Sequence, residues 1–548
     1  MDLMQAIKKA ENLANKGKFA EADKICRDII AVNDRFHPAF HLLGQLAAHA
    51  NRNDIAVPML RRAASLNPNN AQYQRDLAEV LLFSARVKNA LDVIEHAVIL
   101  EPQDPKAHFI LGLTTMSLGL LDRAIEAYRT AIKLEPEFGA AHNNLGSLLE
   151  RAGNLKEAKK AYAKAISIDP GNVQAQNNMA SILIAEGNIK AAIIHLETAI
   201  KVAPGYIEAH HNLSTLKTYK KNDQHIIQLQ SLSKHPSRLT KENQIRLEFI
   251  LGKAASDIGN YDEAFMHYDR GNLLKRSTFE YDENASRQLH KDIKKNFITV
   301  PLNNLRGKEA KSPIPIFIVG MPRSGSTLVE QILVSHDDIS SVGEMTALNE
   351  IIKKHINDFP NGIKDLSNQD YENIGSAYIA ALRDAGADTG FVIDKMLGNY
   401  RLLGIIGHAF PHAKIIHTTR NPMDSCVSIY TRLFLETLHY GYDLNELGNF
   451  YNFYSDLMEH WRKILPNDMF IDISYEEVVS DLKSASEKLI NFIGLEWQEN
   501  MLDFHKQGST VRTASAEQVR KPIYKSSVER WRVYEKQLQP LKKILGGK

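Results

Sequence analysis

The chain opens on an amphipathic helical pattern, MDLMQAIKKAENLANKGK, and then repeats itself. Prolines fall at Pro68, Pro102, Pro136, Pro170 and Pro204, each 34 residues after the last. The same register carries Gly44, Ala78, Gly112, Gly146 and Ala180, and also Ala22, Ala56, Ala90, Ala124, Ala158 and Ala192. A third small-residue series, Ala63, Ala97, Ala131, Ala165 and Ala199, keeps step. Several columns in one phase predict a helix-turn-helix in each repeat, where small residues let two helices approach closely and the proline stops the second. One such unit cannot bury its apolar face alone, so neighbours must stack into a solenoid.

The array is similar to tetratricopeptide repeats, with about six copies from Leu3 to Pro204 and the first helix of another near Ala209 to Lys217. Its phase breaks over Tyr219 to Asn243, a polar stretch, and returns at Leu251, Gly252, Ala264 and Tyr268. That return predicts an outlying repeat near Gln244 to Leu274, joining the array to the C-terminal domain. Residues Ser277 to Ser312 read as a connecting helix and linker. Asn144, Asn178 and Asn212 form a further column 34 apart on the inner helices. Amides at that spacing are suited either to pairing with the backbone of an extended peptide or to tying neighbouring helices together.

Beyond Pro313 the pattern changes to alternating strands and helices. Ile314, Ile316, Phe317, Ile318 and Val319 make a short apolar run of strong β-formers, as a central parallel strand requires, and Gly320 ends it. From Thr327 the apolar residues Leu328, Ile332 and Leu333 recur at helical spacing. Further strands are expected at Phe391 to Ile393, in Phe410 to Arg420 with its core at Ala413 to His417, and at Met469 to Ser474. Helices follow Pro422 and run from Glu476 to about Ile493. The fold class is thus multidomain: an all-α solenoid over 1–218, an irregular segment with the outlying repeat over 219–312, and an α/β domain with a central parallel sheet over 313–548. Ligands of such a sheet sit outside the carboxyl ends of its strands.

Gly320 to Thr327 reads GMPRSGST. The nucleotide-triphosphate loop GxxxxGK[ST] has a lysine where Ser326 stands here, so the loop feeds backbone N–H groups to an anion but lacks the usual ATPase part. Arg323 offers a planar fork of donors instead. PRSGST followed by the GE of Gly343 and Glu344 resembles the 5′-phosphosulfate loop of sulfotransferases, closest to the tyrosylprotein branch. The resemblance implies 3′-phosphoadenosine 5′-phosphosulfate as co-substrate, held by Arg323, Ser324, Gly325, Ser326 and Thr327. It implies a second phosphate site at Arg420 and Ser428, eight apart. Tyr475 matches a tyrosine near the nucleotide, and in TASAEQVRKPIYKSSVERW the matching candidates are Ser515 and Lys521.

The same resemblance makes Glu344, 21 residues after Arg323, the base that takes the acceptor proton. It could equally be a helix-capping glutamate, and His336 is a rival base in the same stretch. Lys395 and Arg323 would stabilise the bridging and sulfonyl oxygens. No metal is needed for direct in-line transfer. The acceptor is a hydroxyl, with a peptide tyrosine following from the branch resemblance and the asparagine column. A glycan or lipid acceptor with repeats used only for assembly, a kinase-like enzyme and an inactive repeat scaffold are the alternatives.

Composition narrows the setting. The chain has 67 Lys and Arg against 65 Asp and Glu, which gives no general case for nucleic acid. Only Cys26 and Cys426 occur, which excludes a disulfide framework and favours a reducing compartment. No stretch reaches the ~18 apolar residues of a membrane span. A cytosolic protein is expected, with a protein or peptide partner on the repeats and a homodimer left open.

Overall fold

A computed structural model describes residues 2–298, 313–387, 390–434, 438–506, 519, 523 and 527–546. The chain divides into two compact units, Met1–Ile182 and Leu183–Lys548, the division falling inside the helix Val173–Ala185.

The first unit is a run of helix pairs: Leu3–Asn15 with Phe19–Val32, His37–His49 with Asn53–Leu66, Ala71–Phe83 with Val87–Leu100, Pro105–Ser117 with Leu121–Leu134, and Gly139–Arg151 with Leu155–Ile168. The small-residue column has a steric cause. A Cβ on Gly44 would stand 2.6 Å from Leu60, on Gly112 2.5 Å from Tyr128, and on Gly146 2.6 Å from Tyr162. Each partner lies sixteen residues on, in the second helix of the same pair. Helix starts are capped by side chains: Asn70, Asp104 and Asn154 accept from the N–H groups of Tyr73, Lys106 and Glu157. Two members of the asparagine column, Asn144 and Asn178, are linked through Asn143. Asn178 Nδ2 donates to Asn143 Oδ1 at 3.2 Å, and Asn143 Nδ2 to Asn144 Oδ1 at 3.3 Å.

The second unit continues the repeat pattern with Ile189–Val202 and Ile207–Leu216, and places a helix, Gln224–Ser233, inside the polar stretch. That stretch is pinned by a buried chain of rings. His210 pairs with His225 at 2.7 Å, His225 with the Tyr219 hydroxyl at 3.0 Å, and His210 with the Pro204 carbonyl at 2.9 Å. Burial lowers both imidazole pKa values below the usual range, His225 to about 4, so one proton per contact satisfies the chain. The helices Lys241–Asp257 and Tyr261–Arg276 form the outlying repeat, and a Cβ on Gly252 would meet Tyr268 at 2.8 Å, as in the array.

Among the described residues five strands follow: β1 (Ile314–Gly320), β2 (Ile339–Gly343), β3 (Phe391–Asp394), β4 (Lys414–Thr419) and β5 (Phe470–Ser474). All pair in parallel, in the order β2-β3-β1-β4-β5. Ile316 is level with Ile393, and Ile318 with Ile416. The pleat sends Ile316, Ile318, Ile393 and Ile416 to one face, against Leu333, Leu489 and Ile490. Phe317, Val319, Val392 and Ile415 go to the other, against Tyr378, Leu403 and Trp461. The second cluster also takes in Ile245, Phe249, Phe265 and Tyr268, so the outlying repeat shares one core with the sheet. Polar ties reinforce that junction: Arg276 and Glu446 pair through two bonds of 2.8 and 2.9 Å, and buried Asn272 donates to the Tyr430 carbonyl at 2.9 Å.

Two details differ from the sequence reading. The return to Glu344 contains a strand, β2, whose short ISSVG run has too few apolar residues to stand out. The helix expected over Glu476 to Ile493 is two, Tyr475–Ser480 and Leu482–Ile493, because Asp481 turns extended (φ −144°) and caps the second by accepting from Ser484 N–H.

Candidate active site

Each strand of the sheet delivers one candidate residue at or just past its carboxyl end. Glu344 follows β2, Lys395 follows β3, Arg420 follows β4, Tyr475 follows β5, and β1 runs directly into the Gly320–Ser326 loop that carries Arg323. The strand order changes direction between β1 and β4, the place where open α/β sheets leave a crevice.

Close approach shapes the loop. A Cβ on Gly320 would lie 2.6 Å from the Thr418 carbonyl, so glycine is what lets β1 end against β4. Gly325 has φ +96° and caps the helix Ser326–Val334, and a Cβ there would reach Tyr475 Cδ2 at 2.9 Å. Arg323 itself is left-handed at φ +70°, a conformation that L residues seldom take outside functional sites. Ser324 is buried and its hydroxyl is 2.7 Å from that of Thr418.

The two expected phosphate-holding groups are contiguous. Arg323 Nε donates to Ser428 Oγ at 3.0 Å, and Arg420 Nη1 donates to the Arg323 carbonyl at 3.2 Å. Arg420 Nη2 donates to the Ser527 carbonyl at 2.5 Å, and its guanidinium lies 4.7 Å over the Tyr475 ring. Ser428 is carried by the helix Pro422–Tyr430, whose start is fixed by Asn421 accepting from Met423 and Asp424 N–H. Asp424, 2% exposed, accepts from the N–H groups of Glu529 and Trp531 at 2.7 and 2.9 Å and so fastens the C-terminal segment beside the site.

On the other side of β1, Lys395 is 1% exposed and turns its ammonium to Glu344 Oε1 at 2.7 Å, with Glu330 Oε2 at 3.7 Å. Asp394, next in the chain, accepts from the Tyr378 hydroxyl at 2.6 Å, Asn399 Nδ2 at 3.1 Å and Met396 N–H at 2.8 Å. Burial pushes its carboxyl up to about 6, against the pull of those donors.

A cavity of about 1190 Å³ gathers these groups. Its lining includes Arg323, Gly325, Ser326, Thr327, Glu344, Arg420, Ser428 and Tyr475, together with His211, Thr215 and Lys253 from the terminal repeat helices. Lys395 and Ser324 stand behind this lining, Lys395 paired with the lining residue Glu344 and Ser324 bonded to buried Thr418. His336 faces elsewhere: its Nε2 donates to the Glu496 carbonyl at 2.9 Å and its Nδ1 accepts from Asp338 N–H at 3.1 Å. Ser515 and Lys521 lie outside the described residues. Glu330, Asp394, Thr418, Asp424 and Ser527 were not singled out in sequence; of these only Asp394, next to Lys395 at a strand end, carried a local signal. Among the described residues, no three His, Cys, Asp or Glu side chains gather as a metal site, and no helix is long and apolar enough to cross a membrane.

The sulfotransferase family model matches residues 315–499, which span β1 to the end of the sheet, and tetratricopeptide repeat models match residues 41–108, 111–173 and 151–216. This chain joins tetratricopeptide repeats to a sulfotransferase-family domain. An uncharacterized protein of Aquifex aeolicus (strain VF5) is 31% identical over 343 residues, covering 60% of this chain and 45% of that protein. Protein-tyrosine sulfotransferase 1 of Danio rerio is 23% identical over 240 residues, 39% of this chain and 65% of its own length. Protein-tyrosine sulfotransferase 2 of Gallus gallus is 20% identical over 287 residues, 47% of this chain and 74% of its own length. The chain thus spans less than two thirds of the first two of these relatives. The sulfotransferase domain and the repeat array agree with the resemblance read from GMPRSGST and from the 34-residue columns.

Proposed function

We propose that the chain is a sulfotransferase moving a sulfonyl group from 3′-phosphoadenosine 5′-phosphosulfate to an acceptor hydroxyl, with a peptide tyrosine as the acceptor. The observation that carries the donor assignment is Arg420. Among the described residues its Nε–H is buried without a partner, although the same guanidinium makes two bonds to carbonyls. A buried cationic donor left unpaired costs free energy, and a phosphate oxygen beside the Ser428 hydroxyl would satisfy it. Gly325, Ser326 and Thr327 line the cavity at the start of the helix Ser326–Val334, where backbone N–H groups suit a second phosphate. The donor supplies the sulfonyl group and leaves as adenosine 3′,5′-bisphosphate.

In this reading Glu344, whose side chain is 52% exposed, takes the proton of the acceptor hydroxyl. Lys395 holds that carboxylate in place from the buried side, and Arg323 with the loop N–H groups stabilises negative charge on the departing phosphate. Phe249, Tyr268, Phe434 and Tyr440 line the same cavity and suit an aromatic acceptor. Because Phe249, Tyr268, His211 and Lys253 come from repeat helices, acceptor selection by the terminal repeats is part of the proposal. The names of the vertebrate relatives support the same acceptor class.

The test is calorimetric titration with adenosine 3′,5′-bisphosphate and with ADP, for wild type and Arg420→Ala, beside turnover of Glu344→Gln. A preference for the bisphosphate of about 1.4 kcal/mol or more, roughly tenfold, that disappears in Arg420→Ala is expected. Glu344→Gln should lose about 10²-fold or more in kcat with nucleotide affinity intact. Equal binding of the two nucleotides would overturn the donor assignment.

A further inference from the structure

Glu330 is a buried carboxylate that the chemistry above leaves unused. It sits on the helix Ser326–Val334 at 6% exposure, and burial raises its pKa, with the Lys395 ammonium and the Ser341 hydroxyl opposing. Its Oε1 accepts from Ser341 Oγ at 2.6 Å, and Ser341 Oγ accepts in turn from Gly343 N–H at 3.0 Å. Its Oε2 is 3.7 Å from Lys395 Nζ, whose other neighbour is Glu344 Oε1 at 2.7 Å. The Lys395 backbone N–H meets the Gly343 carbonyl at 2.8 Å. One almost fully buried ammonium therefore stands between an inner carboxylate and an outer one, and the inner one also fixes the irregular register of β2 between Ser341 and Gly343.

We propose that Glu330 is a positioning residue of the transfer: the permanent counter-ion of Lys395, holding that ammonium at the end of β3 while Glu344 takes the acceptor proton. The proposal rests on the sulfotransferase reading. Its physical content is a charge count. Before transfer the cluster holds two carboxylates and one ammonium. When the acceptor oxygen forms its bond to sulfur, the bond from sulfur to the donor's 5′-phosphate oxygen breaks and adenosine 3′,5′-bisphosphate leaves with that electron pair. The acceptor proton passes to Glu344, and one carboxylate and one ammonium remain in the cluster. With Glu344 as sole partner, the same step would strand a buried ammonium without a counter-ion, and breaking a buried pair in that way is strongly unfavourable. Glu330 also carries Glu344 into register, since Ser341 and Gly343 lead directly into it.

The decisive variant is Glu330→Gln, which keeps the shape and an acceptor for Ser341 while removing the charge. The expected result is a fall in kcat of roughly 10- to 100-fold, with KM for both substrates and affinity for adenosine 3′,5′-bisphosphate within about twofold of wild type. Glu330→Asp, which restores the charge on a shorter stem, should recover part of that loss; a purely structural role would give equal loss in both. Glu330→Gln/Lys395→Met should be no slower than Lys395→Met alone, because both act through one ammonium. A kcat for Glu330→Gln within about twofold of wild type, or losses that add in the double variant, would overturn the inference. Glu344→Gln separates the two possible failures. Loss there with none in Glu330→Gln sinks only the role of Glu330, and loss in neither sinks the reading of the whole site.

Discussion

Asp424→Asn is the sharpest probe of how the site is held closed. The carboxylate is 2% exposed, and each of its oxygens takes one backbone N–H, from Glu529 at 2.7 Å and from Trp531 at 2.9 Å. Asparagine keeps one oxygen and turns an N–H₂ group toward the other donor. One charge-assisted bond is lost, worth about 1.5–3 kcal/mol, and a buried N–H is left facing another donor, so about 2–4 kcal/mol of local stabilisation should disappear. The loss falls on the segment that presents the Ser527 carbonyl to Arg420. At 1.4 kcal/mol per factor of ten, amide hydrogen exchange at Glu529 and Trp531 should accelerate roughly 30- to 1000-fold while the strands of the sheet keep their protection. Bisphosphate affinity should fall with it, because Arg420 loses one of its two anchors. Unchanged exchange at both amides would show that Asp424 does not hold the segment and would refute the reasoning.

Two further outcomes are expected. Gly325→Ala forces a side chain into a φ of +96° and places its Cβ 2.9 Å from the Tyr475 ring; the backbone alone should cost about 1–2 kcal/mol, and calorimetry should show bisphosphate binding weakened by about tenfold or more, an unchanged Kd counting against the loop. Asp394 has its carboxyl raised from 3.8 to about 6 by burial, so the folded protein holds a proton there that the unfolded chain has released. Its stabilising share is therefore complete below about pH 4 and lost as pH rises through about 6, amounting to about 3 kcal/mol, and urea unfolding at pH 5 and 7 should show that dependence shrink in Asp394→Asn.

Much of this architecture is legible in the sequence. The 34-residue columns mark places where two helices come close and only small residues fit, and at Gly44, Gly112 and Gly146 even a Cβ would clash, so sterics wrote them directly into the chain. The residues at strand ends were legible for a similar reason: GMPRSGST, Lys395 and Arg420 each follow a β-forming run. The features that escaped notice depend on distant partners. Glu330 lies in TLVEQIL, where a lone glutamate looks like a solvated position, and only the return of β2 with Ser341 shows that it is buried. Asp424 takes its meaning from amides 105 and 107 residues away. The break at Asp481 did carry a local sign, an aspartate three residues before Ser484 in capping register, which the apolar periodicity on either side obscured.

The shared core of the outlying repeat and the sheet constrains how such a protein can change by duplication. In the Met1–Ile182 unit the helix pairs repeat one internal contact of a small residue against a large one, seen at Gly44, Gly112 and Gly146, so copies could be gained or lost there with little penalty. The pair Lys241–Asp257 and Tyr261–Arg276 has no such freedom. Phe249, Phe265 and Tyr268 are packed in the same apolar cluster as Phe317 of the central strand, and Arg276 and Asn272 are bonded to the helices behind it. Array length is therefore a variable that lineages can explore, whereas the last repeat has to be inherited together with the sheet it packs on.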